Sequence, residues 1–475
     1  MIMPRHLLKI TEKSRNLSDI LADAGFSLDL RCGGHGSCGR CSVCLASGEW
    51  NVAGKILQAP HEALACHTRL VSSEGSVEIP EQSLLKNAIC GTALESWNVV
   101  VEIPDIQSAV VGFDIGTTTL AATAYKNGRC LSSASCYNPQ AAYGDNVMAR
   151  ISASDEHLDD MRRCLLDAMR CLLKKMSLSE PPARIAIAGN STMTCIFHGI
   201  SPKSLGSHPF TLPVNSFPVV SAKCLGLADD VEVYTVPPAT AFIGGDVIGG
   251  LGGVSLKPGE AFIDLGTNCE IVLCLPDGSY CGTAAAAGPA FEGAGIGCGS
   301  RAVPGAVCSF QSPGDFKVIG DGKASGVCGS ALVDVLAYLK RSGRLLSFGR
   351  FQPSADTCEI MPGIILSESD IARLLVAKAA VAAGLQTLEK HCGIAVTRIV
   401  LAGGFAQYLN MDNARTIGLL PCVPTVAVGN TSLAGAVRMA CYPEWRYELA
   451  NMSVREFLLN NAPDFENAFI DAMRL

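Results

Sequence analysis

The sequence predicts a multidomain chain in which a small α+β domain precedes a larger α/β part made of two similar halves. Its 475 residues are enough for about three domains at roughly 150 residues each. A loop rich in glycine and cysteine lies near the start, and from Val110 onward the chain changes to Gly- and Ala-rich alternation of apolar strands and helices. Within that later part, one strand–turn–strand pattern occurs twice, 150 residues apart.

Residues 1–82 are predicted to form the first domain. HLLKI predicts a strand, and NLSDILADAG predicts a short helix that starts near Asn16 or Ser18 and stops at Gly25, because its leucines fall on one helical face. SVCLASGEW and GSVEIP predict further strands. Residues 83–107 are mostly polar and irregular, so we expect a linker there.

Residues 108–258 and 259–440 are predicted to be the two α/β halves. VVGFDIGTTTLAATAY at 110–125 and EAFIDLGTNCEIVLCL at 260–275 share an apolar strand, Asp, an aliphatic residue, Gly, Thr and a second apolar strand. Each predicts a β-hairpin with a Gly/Thr turn. The similarity predicts an internal duplication with a cleft between the halves, and residues 441–475 are predicted to be a C-terminal helical extension.

Composition excludes several classes of partner and location. The net charge of −7 argues against a nucleic-acid partner, which needs a basic surface. The first residues lack the apolar core of a signal peptide, and no run reaches the 18 or more apolar residues of a membrane helix, so a cytoplasmic protein is expected. Most of the 22 cysteines are scattered singly through apolar segments, which is typical of reduced thiols in a reducing, anaerobic cytosol.

The loop RCGGHGSCGRCSVCL, residues 31–45, predicts a metal-cluster site. Cys32, Cys38 and Cys41 have five and then two intervening residues, and the glycines among them let the backbone curl around a buried anionic cluster. The fourth ligand is either Cys44 or Cys66 on this evidence. If CSVCL is extended, Cys41 and Cys44 fall on opposite faces, and Cys44 then points away from the loop.

This segment resembles the 2Fe-2S ferredoxins with a β-grasp fold, in which three ligands lie in the loop and the fourth follows later. The resemblance implies that Cys66 joins Cys32, Cys38 and Cys41 as the fourth ligand. The five-residue first gap is similar to that of the adrenodoxin-like group and differs from the plant-type spacing. A zinc knuckle is the alternative, but it normally needs a second closely spaced Cys/His pair, and Cys66 and His67 are too close together to provide one.

The duplicated hairpin turns predict a phosphate site. Their backbone N–H groups and hydroxyls can bind phosphate, while Asp114 and Asp264 can hold the water shell of a Mg²⁺ ion. The candidate phosphate-binding residues are Gly116, Thr117, Thr118, Thr119, Gly266, Thr267 and Asn268. The alternative is an α/β fold whose glycine turns merely pack tightly. Burying two aspartates at the ends of apolar strands without a cation would be costly, and this favours the phosphate site.

A third motif, LAGGFAQYLN at 401–410, completes the pattern. Gly403 and Gly404 allow an adenosine to approach closely, and Phe405 follows them. Together with the two turns, this motif resembles the phosphate and adenosine motifs of the actin-like ATPase superfamily, which includes sugar kinases and Hsp70. The resemblance implies that ATP and Mg²⁺ bind here, with Asp114 and Asp264 as catalytic residues.

Further stretches resemble the reductive activators of corrinoid proteins. They are YNPQAAYGDNVMARI, AIAGNSTMTCIFHGI, FIGGDVIGGL, AAAGPAFEGAGIGCGSRAVPGAV, GVCGSALVDVL and DFENAFIDAMRL. Members of that family use ATP to send one electron from a 2Fe-2S cluster to an inactive Co(II) corrinoid in a partner protein of a methyltransferase system, which restores the Co(I) state. The resemblance implies the same activity here, with a low-potential electron donor upstream.

Three alternatives remain at the level of the sequence. An ATP-driven electron injector like the activators of acyl-CoA dehydratases would share the actin-like fold, but those activators resemble dimers with one 4Fe-4S cluster between subunits. A 2Fe-2S redox sensor would use ATP only structurally. A small-molecule kinase would have no use for a cluster. No nucleic-acid or membrane partner is expected, and the sequence leaves open whether the chain forms a homodimer.

Overall fold

The computed structural model describes residues 5–26, 28, 36, 39, 41–80, 83–84, 103–144, 146–214, 216–227, 230–320 and 322–475. Two of the predicted cluster cysteines, Cys32 and Cys38, and most of the predicted linker lie outside these residues. The described residues fall into two compact units. The first unit lies within residues 1–87 and 139–153, and the second lies within 88–138 and 154–475.

The first unit is built on antiparallel strands and one helix. Its elements are β1 (Arg5–Ile10), α1 (Leu17–Asp23), β2 (Ser42–Ser47), β3 (Glu49–Val52), β4 (Lys55–Gln58), β5 (His61–Leu64), β6 (Thr68–Leu70) and β7 (Gly75–Pro80). One sheet has the order β1-β7-β2-β5 and the other has the order β4-β3-β6. The predicted helix is confirmed: α1 buries Leu17 and Leu21, and Gly25 follows it with φ +88°. The core of this unit also contains the fully buried Trp50.

The second unit opens with a six-stranded sheet. Its elements are β8 (Val110–Ile115), β9 (Thr119–Lys126), β10 (Arg129–Tyr137), β11 (Arg184–Ala188), α3 (Ser191–His198), β12 (Val220–Ser221), β13 (Glu232–Thr235) and α4 (Gly245–Leu251); helix α2 (Val147–Met176) starts before Ser154 and precedes β11. The strand order is β10-β9-β8-β11-β13-β12, with β8, β11 and β13 parallel. Buried aliphatic and aromatic side chains dominate the central strands, as expected of strands covered on both faces.

A second six-stranded sheet follows. The elements are β14 (Glu260–Leu265), β15 (Cys269–Cys274), β16 (Tyr280–Ala285), β17 (Ala306–Ser312), β18 (Asp315–Val318), β19 (Gly326–Val327), α5 (Gly329–Arg341), β20 (Thr357–Met361), β21 (Ile364–Ser367), α6 (Glu368–Cys392), β22 (Arg398–Ala402), α7 (Met411–Ile417), β23 (Thr425–Gly429), α8 (Thr431–Cys441), α9 (Trp445–Ala450), β24 (Val454–Glu456) and α10 (Phe465–Ala472). Its order is β23-β22-β14-β15-β16-β24, beside the smaller sheets β18-β17-β19 and β20-β21.

The two six-stranded sheets repeat one arrangement. In each, the first strand (β8 or β14) lies near the centre and pairs with an antiparallel hairpin partner on one side and with a parallel strand on the other. Helix α4 packs against helix α8 with almost no space between their backbones. A Cβ atom added to Gly435 would lie 2.6 Å from the Cα of Gly249. These two glycines therefore allow the helices to cross in backbone contact.

The predicted helical extension is wrong in one respect. Residues 441–475 contain helices α9 and α10, but they also contain the strand β24, which pairs in parallel with β16 and so completes the edge of the second sheet. With only three residues, β24 is too short to show a period of two in the sequence.

One helix in the described part of the chain, α6, is long and apolar enough to cross a membrane by length and composition. However, 72% of its most apolar window is buried inside the protein, and α6 packs against α10 and β16. It is therefore a core helix of the second unit.

Candidate functional site

The two Gly/Thr turns meet within the second unit. Turn 116–119 joins β8 to β9, turn 266–268 joins β14 to β15, and the hydroxyl oxygens of Thr118 and Thr267 lie 3.2 Å apart. We call this place the two-turn site. The structure thus brings together the two groups of phosphate-binding residues that the sequence predicted, although they are 149 residues apart in the chain.

Side chains from neighbouring elements fix the first turn. Asn138 donates to the carbonyl of Gly116 over 2.9 Å, and Asn190 donates to the hydroxyl of Thr117 over 2.9 Å. Asn190 also caps helix α3, since its side-chain oxygen accepts from the N–H of Met193. The side chains of Asn138 and Asn190 therefore fix the conformation of the first turn, and Asn190 is itself fixed at the start of α3.

Asp114, at the end of β8, is held by residues of the second half. Asn430 donates to one of its carboxylate oxygens over 2.8 Å, and Ser432 donates to the other over 2.9 Å. Both donors lie at the N-terminus of helix α8, which Asn430 also caps. Burial nevertheless raises the pKa of Asp114, because the loss of water around the carboxylate outweighs these hydrogen bonds.

Three more carboxylates share the electrostatic environment of Asp114. Burial is the main cause that raises the pKa of Asp264 to about 8 and of Asp246 to about 7, and repulsion from neighbouring carboxylates adds to it. The pKa of Glu270 is raised well above its usual range for the same reasons. Glu270 lies directly opposite Asp264 in the β14–β15 ladder. A group of half-buried acids of this kind is poised to exchange protons for a cation.

The donor set fits a hydrated Mg²⁺ ion that is shared with phosphate. Mg²⁺ normally keeps several waters and uses one or two carboxylates together with phosphate oxygens. The described ranges contain no group of three or more His, Cys, Asp or Glu side chains placed to hold a metal ion. The role of Asp114 and Asp264 in holding the water shell of Mg²⁺ stays a prediction.

The predicted adenosine motif lies against the second turn. Gly403 has φ +104°, and a Cβ atom there would lie 2.5 Å from the carbonyl oxygen of Leu265 and 3.1 Å from a carboxylate oxygen of Asp264. A Cβ atom on Gly404 would meet nothing within 4 Å. The ring of Phe405 stacks on that of Phe291 with centroids 5.5 Å apart. The motif thus combines close backbone approach, open space at Gly404 and an aromatic surface.

Sequence reasoning missed seven residues of this site: Asn138, Asn190, Asp246, Glu270, Glu292, Asn430 and Ser432. Glu292 accepts a hydrogen bond from the hydroxyl of Thr267 and so belongs to the second turn. A signal for part of this set was present, because GNST at 189–192 and GNTS at 429–432 each follow an apolar strand. The carboxylates gave no local signal, since strand register and helix packing alone bring them together.

The described cysteines of the predicted cluster site form a close pair. The sulfurs of Cys41 and Cys66 lie 3.3 Å apart, and both side chains are buried. Two thiolates bound tetrahedrally to one metal at about 2.3 Å would lie about 3.7 Å apart, so the position of this pair is close to that of two ligands of one metal ion. The N–H of Ala65 donates to the carbonyl of Cys41 over 3.0 Å and fixes the two segments. The hydrogen bond with Cys66 lowers the pKa of Cys41 to about 6, which favours the thiolate.

Cys44 lies on the other face of β2. Val43 and Leu45 are 1% exposed, whereas Cys44 is half-buried and sits opposite Glu62 in the β2–β5 ladder. The loop itself is described at Gly36, which has φ +73°, and a Cβ atom there would lie 2.8 Å from Nε2 of His67. This glycine lets the loop pack on the imidazole that follows Cys66.

Comparison with known proteins places the chain in a family. Residues 109–258 match the family model described as the RACo middle region, and residues 260–475 match the one described as the C-terminal domain of RACo, the ASKHA domain. Together the two models match well over half of the chain. The chain belongs to the RACo family of reductive activators of corrinoid proteins. The predicted actin-like ATPase domain is therefore confirmed, within a fold of mixed α/β content.

Three proteins similar to this chain have names that agree with the family match. The chain is 27% identical to the corrinoid activation enzyme RamQ of Eubacterium limosum, over 88% of this chain and 89% of RamQ. It is 25% identical to the [Co(II) methylated amine-specific corrinoid protein] reductase of Methanosarcina barkeri, over 61% of this chain and 62% of that protein. A solved structure of a reductive activator for corrinoid, iron-sulfur protein has a TM-score of 0.70 and 26% identity, and covers 98% of this chain and 96% of its own.

Proposed function

We propose that this chain is an ATP-dependent reductive activase that returns the inactive Co(II) corrinoid of a partner methyl-transfer protein to the active Co(I) state by delivering one electron. The observation that carries the proposal is the meeting of the two phosphate turns at Thr118 and Thr267, with Asp114 and Asp264 beside them. This arrangement suits a nucleotide triphosphate held between two halves of a protein.

In this proposal, different residues of the chain bind different parts of the nucleotide. The turn residues bind phosphate through backbone N–H groups and hydroxyls; they are Gly116, Thr117, Thr118, Thr119, Gly266, Thr267 and Asn268. Asp114 and Asp264 hold water on Mg²⁺, and Gly403, Gly404 and Phe405 receive the adenosine. The raised pKa values of the carboxylates mean that binding of the cation displaces protons.

We propose further that residues 1–82 form a β-grasp 2Fe-2S domain, with Cys32, Cys38, Cys41 and Cys66 as ligands. When bound, the cluster supplies a single electron at low potential. The antiparallel register of β2 and β5, together with the bond from Ala65, holds the sulfurs of Cys41 and Cys66 in place. The likeness of the two six-stranded sheets supports an internal duplication, with residues 83–107 as a linker between the parts.

Nucleotide has to influence the electron step through conformation. A one-electron step uphill costs about 1.4 kcal/mol for every ~59 mV. ATP shifts that equilibrium only if it favours one conformation or one complex with the corrinoid protein over another. A phosphate bound at the two-turn site would contact both halves, so it can favour the conformation in which the halves are closed. We propose that closure of the halves changes their grip on the corrinoid protein and so assists Co(II) reduction.

The test is a single-turnover reduction under anaerobic conditions. The protein is reduced, freed of excess reductant and mixed with a candidate Co(II) corrinoid protein, and the Co(I) absorption spectrum is followed with and without Mg-ATP. We expect Mg-ATP to raise the yield of Co(I). Asp264→Asn serves as the matched variant, since it should keep the cluster spectrum and lose the stimulation by nucleotide. An equal yield with and without Mg-ATP in the unaltered protein would overturn the proposal.

A further inference from the structure

A half-buried arginine lies at the edge of the two-turn site. The guanidinium carbon of Arg301 sits 3.6 Å from the centroid of the Tyr137 ring. Arg301 belongs to the second half, in the segment between β16 and β17, and Tyr137 ends strand β10 of the first half. Within the described ranges, no carboxylate forms an ion pair with this guanidinium. A partly desolvated cation of this kind is available for an anionic ligand.

The ring beneath Arg301 is tied to the first turn. Tyr137 lies opposite Thr119 in the β9–β10 ladder. The next residue, Asn138, makes two bonds with the turn: its N–H donates to the carbonyl of Thr118 over 3.0 Å, and its side chain donates to the carbonyl of Gly116 over 2.9 Å. The guanidinium therefore lies over the ring of a residue whose ladder partner, Thr119, is one of the predicted phosphate-binding residues of the first turn.

The backbone that carries Arg301 is tied to the second turn. A Cβ atom on Gly293 would lie 2.6 Å from the carbonyl oxygen of Ser300, so these two points of the loop are in contact. The residue before Gly293 is Glu292, which accepts from the hydroxyl of Thr267. Arg301 is thus held between the two turns, by its side chain on one side and by its backbone on the other.

Charge and geometry suit a phosphate at this place. Carboxyl groups of Asp114, Asp264 and Glu292 lie at or beside the two turns, so positive charge in addition to that of Mg²⁺ would favour a bound triphosphate. A guanidinium placed over an aromatic ring can keep N–H donors free for another ligand. A pair of such donors can bind two phosphate oxygens at once, and the ring fixes their direction in advance.

We propose that Arg301, held on the ring of Tyr137, binds the terminal phosphate of the nucleotide and makes the site prefer a triphosphate to a diphosphate. This inference rests on the proposed nucleotide site and adds a specificity determinant to it. Tyr137 is the positioning residue, because its ring orients the guanidinium of Arg301.

The test compares affinities for Mg-ATP and Mg-ADP by calorimetry on the full chain. Loss of a charge-assisted hydrogen-bond pair to the terminal phosphate should weaken Mg-ATP by about 10-fold or more in Arg301→Gln, with Mg-ADP little changed. Arg301→Lys should fall between the two, because it keeps the charge and loses the planar pair of donors. Thermal melting of each variant identifies any loss that comes from unfolding.

The Tyr137 variants supply a second test that leaves Arg301 in place. Tyr137→Leu should reduce the preference for Mg-ATP, and Tyr137→Phe, which keeps the ring, should retain it. Equal losses for Mg-ATP and Mg-ADP in Arg301→Gln, or no loss for either, would overturn the role of Arg301 while leaving the nucleotide site intact. Failure of the unaltered protein to bind either nucleotide would overturn the site itself and this inference with it.

Discussion

Cys41 and Cys44 are three residues apart in the chain and face in opposite directions from β2. Cys41 meets Cys66 in the buried interior, whereas Cys44 meets the side chain of Glu62. In the proposed ligand set Cys41 binds the cluster, whereas Cys44, whose side chain lies on the opposite face of β2 from Val43 and Leu45, does not. Local spacing alone would have favoured Cys44, since it completes a set of four within fifteen residues.

We expect Cys44→Ser to keep the visible absorption and the reduced-state EPR signal of a 2Fe-2S cluster after reconstitution. Cys66→Ser should lose that signal or alter it, because oxygen replaces one sulfur ligand. Cys44→Ser is the matched control for Cys66→Ser, since both remove one thiol from the same small domain. A lost cluster in Cys44→Ser with an intact one in Cys66→Ser would contradict the ligand assignment.

The carboxylates of the two-turn site predict a pH dependence of stability. Burial raises the pKa of Asp264 to about 8 and of Asp246 to about 7. A carboxyl with a raised folded pKa gives stability that is fully present below its unfolded pKa of about 4 and is lost as pH rises through the folded value. The Tm of the nucleotide-free protein should therefore fall as the pH rises from about 4 to about 8.

Mg-ATP should reverse this trend, because it binds the ionised carboxylates and stabilises the protein more at high pH. Differential scanning fluorimetry across the pH range, with and without Mg-ATP, measures both slopes. Asp264→Asn removes the main titrating group and should flatten the slope of the nucleotide-free protein. A Tm that rises with pH in the absence of nucleotide would contradict the assignment of the raised pKa values.

Helices α4 and α8 cross in backbone contact. The two helices touch through Gly249 and Gly435, with no side chain between them. A methyl group at Gly435 would have to push the backbones apart, and such overpacking costs about 1–3 kcal/mol. We expect Gly435→Ala to lower the free energy of unfolding by that amount and to weaken nucleotide binding, because α8 also carries Ser432, which holds Asp114.

Chemical denaturation and nucleotide titration of Gly435→Ala measure these two effects. Gly314→Ala is the matched control, because a Cβ atom at Gly314 would meet nothing within 4 Å and the residue does not have a positive φ. Equal stability of the two variants would show that the helices have room to separate.

The hairpins could be predicted from the sequence, whereas some site residues could not. The two hairpins were predicted in place because their apolar strands and Gly/Thr turns are local patterns. Asp246 and Glu270 were not predicted as site residues, since they reach Asp264 through helix packing and strand register over distances that no local pattern records. The prediction that Cys66 is a ligand came from a resemblance, and the register of β2 with β5 together with the Cys41–Cys66 contact supports it.

At the scale of the whole molecule, the two halves are in contact at Thr118 and Thr267. Their hydroxyls bond to each other, and Thr267 also donates to Glu292. If phosphate binds both turns, removal of either hydroxyl should weaken Mg-ATP, and the two effects should not add. We expect a coupling of about 0.5 kcal/mol or more between Thr118→Val and Thr267→Val, as for residues in one hydrogen-bond network.

Titration of the two single variants and the double variant with Mg-ATP closes this cycle. Thr357→Val is the control, because Thr357 is exposed on β20. Its effect should be small and additive with either of the others. Strict additivity of Thr118→Val and Thr267→Val would mean that the turns bind phosphate independently.

The two halves are alike in strand order and unlike at the positions that face the site. Asp264 has Glu270 as its ladder partner, whereas Asp114 has Ala121. The residues that follow the corresponding strands β22 and β11 also differ. Gly404 follows β22, and a Cβ atom there would meet nothing within 4 Å. Asn190 follows β11, and its side chain caps α3 and donates to Thr117. A symmetric site would accept a nucleotide in either of two opposite orientations. In the proposed nucleotide site, these differences favour one orientation, with the base towards the second half, so that a bound nucleotide would present the same face to a partner protein.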